Sequence, residues 1–74
     1  MDHVIIKEAR HVIAEVNEAG LAGSDAPSPE ELLPDGAQAD LVRAVLADVV
    51  VMAWEQHPKI VARAKAVQAR VGAA

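Results

Sequence analysis

The chain has no cysteine, threonine, tyrosine or phenylalanine, and Trp54 is the one aromatic residue among its 74. Without cysteine, neither a disulfide nor a thiolate metal site can staple the fold. Ser24 and Ser28 are its only hydroxyl side chains. Nucleophilic catalysis would therefore rest on one of two serines in a Gly- and Pro-rich stretch, neither set in a recognisable nucleophile elbow. A membrane span needs roughly 20 apolar residues. The richest stretch, Leu41 to Trp54, is shorter and is broken by Arg43 and Asp48. The opening Met-Asp-His lacks a basic region, and the apolar run Val4 to Ile6 is too short for a secretion signal. The expectation is a soluble, cytoplasmic chain with no membrane contact.

What the chain does have is aliphatic residues. Apolar types make up 53% of it, too many for disorder and suited to a packed domain. A single core of this size supplies only about 3–5 kcal/mol and is usually reinforced. With disulfides and thiolate sites excluded, self-association is the obvious candidate.

Charge is divided along the chain, with a net of −4. All eleven acids lie in residues 1–55 beside Lys7, Arg10 and Arg43, whereas residues 56–74 carry Lys59, Arg63, Lys65 and Arg70 and no acid. Such a split implies either a basic contact surface or neutralisation against the acidic part. The negative total weakens long-range attraction to nucleic acid.

Apolar periodicity predicts three long helices. From Asp2 to about Ala19, Ile5, Ile6, Ala9, Val12, Ile13, Val16 and Ala19 recur at three- and four-residue spacing. They fill an arc of roughly 140° on a helical wheel. Gly20 and Gly23 supply the stop. Residues 20–36 read as a connection, in which Ser28-Pro29-Glu30-Glu31 has the form of a capping box and predicts a short turn near 29–33 ended by Pro34. Leu32 and Leu33 are expected to tack this segment onto the core. Asp35-Gly-Ala-Gln38 repeats the capping-box form and predicts a helix from about 36 to 56. A strand through Val49-Val50-Val51 is disfavoured, since period-two alternation is absent and no partner strand exists elsewhere. His57-Pro58 breaks the pattern and starts a third helix to about 71, with Ile60, Ala64, Val67 and Val71 on one stripe.

On the central helix Leu41, Val42, Val45, Leu46, Val49, Val50, Met52 and Ala53 occupy about half a circle, whereas a surface helix hides an arc of about 100°. The excess points to a homodimer: an all-α, three-helix protomer with a long helix 1–2 loop, dimerising into a helical bundle. Its expected interface is Ile5, Val12, Val16, Leu41, Val42, Val45, Leu46, Val49 and Met52. Trp54 lies off that arc. It either packs beneath the loop or against the third helix, or anchors a partner, as tryptophan often does at interfaces.

Little in the sequence carries chemistry. Glu8-Ala-Arg-His11 has the Glu-x-x-His spacing of carboxylate-bridged dimetal bundles, with Glu15 one turn beyond. These three share the face turned away from Ile5 and Val12, so a solvated face with i,i+3 and i,i+4 pairing is the reading preferred. His3 stands two turns from His11, too far for one metal ion. His57 suits a cap or hinge better than a general base, with Glu55 its only nearby carboxylate in sequence. No catalytic, cofactor-binding or metal residues are assigned.

The function expected is that of a small non-enzymatic protein-binding or regulatory protein, with Trp54, Lys59, Arg63 and Arg70 as candidate partner-binding residues. The alternative is a small dimeric nucleic-acid-binding regulator using Lys59, Arg63, Lys65 and Arg70. Against it stand the tight joint at His57-Pro58 and the scarcity of base-reading side chains, with Gln68 the third helix's lone amide.

Overall fold

A computed structural model describes residues 2–71. Four helices follow in order: α1 His3–Glu18, α2 Pro29–Leu32, α3 Ala39–Ala53 and α4 Pro58–Arg70. No strand occurs among the described residues. The Asp2 carboxylate opens α1 by accepting from the Val4 amide at 3.0 Å, which satisfies one of the orphan donors of a helix start. At the other end Gly20 takes φ +74°, the left-handed conformation that glycine adopts without a Cβ penalty. The Gly20 amide then donates to the Asn17 carbonyl at 3.1 Å and the Leu21 amide to the Val16 carbonyl at 3.2 Å. That pair of bonds is a Schellman stop.

The connection between the long helices is fastened to α1 rather than looped away from it. Ser28 Oγ accepts from the Glu31 amide at 3.2 Å while the Glu31 carboxylate accepts from the Ser28 amide at 3.3 Å, so α2 starts with a complete capping box. Asn17 Nδ2 donates to the Pro27 carbonyl at 3.1 Å. Arg10 donates from Nε to the Leu33 carbonyl at 2.7 Å and from Nη2 to Asp35 at 2.9 Å. Leu33 itself is 0% exposed, and Leu32 packs half-buried beside it.

The central helix starts at Ala39 with Gln38 as its cap residue and no side-chain capping bond. That is later than an Asp35 cap would place it. Two causes are visible: Arg10 holds the Asp35 carboxylate, and Gly36 at φ +81° turns the chain so that the Ala37 amide donates to the Pro34 carbonyl. A residue with positive φ does not continue a right-handed helix. The helix ends at Ala53, short of Gln56. The His57 amide bonds to the Ala53 carbonyl at 2.9 Å, and Pro58 occupies the first turn of α4, where its missing N–H goes unneeded.

The helices α1, α3 and α4 pack against one another in all three pairings, and α2 rests on α1. Their shared core holds Ile6, Ala9, Val12, Ile13 and Val16 of α1, Val42, Leu46, Val49, Val50 and Ala53 of α3, and Ile60, Ala64 and Val67 of α4. Leu33, Ala37 and Val71 close its ends. No polar or charged residue is buried among those described. The radius of gyration is 11.3 Å, close to the about 11 Å that scaling gives a compact chain of this length. One protomer thus closes a core of its own.

Candidate partner-binding surface

The buried residues of α3 span an arc of roughly 100° on its wheel, the share that α1 and α4 cover. Five of the nine residues expected at a twofold interface, Val12, Val16, Val42, Leu46 and Val49, are therefore buried inside the protomer. Ile5 and Val45 lie half-buried at the core's edge. Leu41 and Met52 remain exposed, at 42% and 39%. The apolar excess that suggested a second copy is largely met by the chain's own helices.

What stays uncovered is a strip along the outer side of α3. Leu41, Ala44, Asp48, Val51 and Met52 are exposed along it, with Val45 at its inner border. Val51 is the most exposed of its large apolar side chains, at 74%. Beside the strip opens a cleft of about 190 Å³ between α3, α1 and the connection, bordered by Val45, Met52, Pro27 and Leu32. Asp48 is the strip's one charge and makes no ion pair among the described residues. The nearest cation along the helix, Arg43, points elsewhere and pairs with Asp40.

Trp54 sits past the end of α3, with its surface 57% exposed. It borders a shallow depression with Glu55 and with Pro58, Val61, Ala62 and Lys65 of α4. Lys65 Nζ lies 5.6 Å from the ring centroid, within cation–π range. The tryptophan thus lies against the outside of the helix that follows it, and the core closes without it.

The basic helix faces the acidic one. Arg63 pairs with Glu15 and Arg70 with Glu8, joining α4 to α1. His11 Nε2 lies 3.6 Å from the Glu15 carboxylate as well. The Glu8, His11 and Glu15 face is therefore given over to ion pairing, and no group of three His, Asp or Glu side chains converges as a metal set among the described residues. Beneath these pairs runs an open groove of about 570 Å³ floored by Val4, Val12, Ala66 and Val67. Gln68 is likewise occupied, donating to the Arg43 carbonyl at 3.2 Å. With Lys65 over Trp54, only Lys59 of the four α4 cations has neither an ion pair nor a cation–π contact among the described residues. His57 stands at the cap position of α4 but makes no side-chain capping bond. No described helix is long and apolar enough to cross a membrane.

Reading the sequence alone misses the strip as a unit. Its signal was present in Val51, an apolar residue on the polar side of the wheel. It becomes legible once burial separates the covered part of the apolar arc from the uncovered part. Compared with protein-family models, curated proteins and solved structures, the chain matches none.

Proposed function

We propose that this is a non-enzymatic protein-binding module that engages its partner through the outer strip of α3. The observation that carries the reading is the exposure of Leu41, Val51 and Met52 on a helix whose other side already fills the core. The filled core leaves no internal use for them, and exposed apolar side chains aligned along one side of a helix suit a partner surface. Trp54 extends this surface around the end of the helix toward α4. A nucleic-acid surface on α4 is less well supported, because α1 carboxylates already occupy Arg63 and Arg70. Of the nine residues expected at a twofold interface, Leu41 and Met52 are exposed on this strip and Val45 borders it, so a second copy is a competing occupant of the same surface.

The test is photocrosslinking in the native cell, with a benzophenone side chain at position 51 or, as the comparison, at position 59. The expected result is a discrete protein adduct from position 51 that disappears when Leu41→Lys is added. Adducts from position 59 alone, or to nucleic acid, would overturn the proposal.

A further inference from the structure

Resting on that reading, we infer that the partner presents an amphipathic helix carrying a cation opposite Asp48, and that a second copy of this chain is a poor occupant. The spacing of the strip supplies the first half. Leu41, Ala44, Asp48 and Val51 follow the alternating three- and four-residue steps of a coiled-coil seam, with Val45 and Met52 flanking it. A helix laid along such a seam meets side chains at every turn. The 190 Å³ cleft beside Val45 and Met52 offers a hole for one of its aliphatic knobs.

Asp48 supplies the second half. It occupies a seam position between Ala44 and Val51 and has no ion pair of its own among the described residues. Arg43 lies roughly 140° away around the helix and cannot turn to it. A docking helix would remove water from the carboxylate, which then requires a cation or donor from the partner. Two copies paired seam to seam bring none, since Leu41, Ala44, Asp48 and Val51 include no Lys or Arg. Side by side in the parallel sense, the two Asp48 residues face each other directly. In the antiparallel sense that sets Leu41 against Val51, they lie about 6 Å apart along the axis, from 1.5 Å of rise per residue. Like charges at a seam exclude that pairing and leave a basic partner as the complementary one.

Two synthetic amphipathic helices of about 21 residues test this, with leucine at the seam positions and identical except for a central Lys or Glu. Their binding to the full chain is read by fluorescence anisotropy, and sedimentation reports self-association. The Lys peptide should bind about tenfold tighter than the Glu peptide, the order should reverse for Asp48→Lys, and both should be lost with Val51→Lys. Circular dichroism melts confirm that the variants fold. Equal binding of both peptides would overturn the cation requirement while leaving α3 as a docking face. Failure of both peptides to bind would overturn the inference, with the crosslink at position 51 deciding separately on the proposed function. A wild-type dimer abolished by Val51→Lys would overturn it in favour of a second copy.

Discussion

Arg10 Nε donates to the carbonyl oxygen of Leu33 at 2.7 Å, across 23 positions of sequence. The same guanidinium reaches Asp35 at 2.9 Å. Arg10 is largely covered while the Asp35 side chain is 83% exposed, so the two bonds differ in worth. A hydrogen bond from a charged group contributes about 1.5–3 kcal/mol, whereas an exposed ion pair contributes about 0–1 kcal/mol. Urea unfolding should therefore show Arg10→Met destabilised by about 2 kcal/mol and Asp35→Asn by less than about 1 kcal/mol. Equal losses would mean that the Leu33 carbonyl is not the principal partner.

Leu33 makes the connection part of the core rather than an appendage to it. Truncating a fully buried leucine costs about 2–5 kcal/mol, and Leu33→Ala should fall in that range, alongside Leu46→Ala in the middle of α3. Leu32→Ala, at a half-buried position, should cost less. Should Leu33→Ala prove nearly neutral in urea unfolding, the connection would not be held as described.

The helical fold was legible in the sequence because each long helix buries an apolar stripe at helical spacing. Ile60, Ala64, Val67 and Val71 are all inside, as are Val12, Ile13 and Val16. The Ser28 capping box was readable for the same reason, since both partners lie within four residues of each other. The start of α3 was not. Asp35 and Gln38 have the right spacing for a box, but the outcome depends on Arg10, which is 25 residues from Asp35 and reaches it only in the folded chain. The division of the apolar arc on α3 is equally non-local. A wheel gives its width, but only the placement of α1 and α4 decides that Val42 and Leu46 are covered while Leu41 and Met52 are not. The pairing of Glu8 with Arg70 and Glu15 with Arg63 answers the charge split as neutralisation between helices, one of two outcomes that the charges allow.

Those two pairs are exposed or half-exposed, and each should contribute about 0.2–1 kcal/mol. A double-mutant cycle on Glu8→Gln and Arg70→Gln should give a coupling in that range that shrinks as salt is raised. Arg63→Glu with Arg70→Glu places like charges against Glu15 and Glu8. It should destabilise the fold by more than the two neutral substitutions do. If the double reversal leaves stability unchanged but abolishes a measurable nucleic-acid affinity, the basic flank of α4 is a binding surface after all.

Trp54 gives the molecule a built-in optical reporter. With over half of its surface exposed, its fluorescence should resemble that of free indole in water and be quenched readily by acrylamide. Trp54→Ala should change stability by about 0.5 kcal/mol or less, as at other surface positions away from the core. Partner engagement along α3 that extends over Trp54 should shift the emission to the blue and protect it from quencher. Engagement confined to Leu41 and Val45 should leave the emission unmoved. A blue-shifted, protected tryptophan in the isolated protomer would contradict the placement of the ring, and would mean that Trp54 closes the chain's own core.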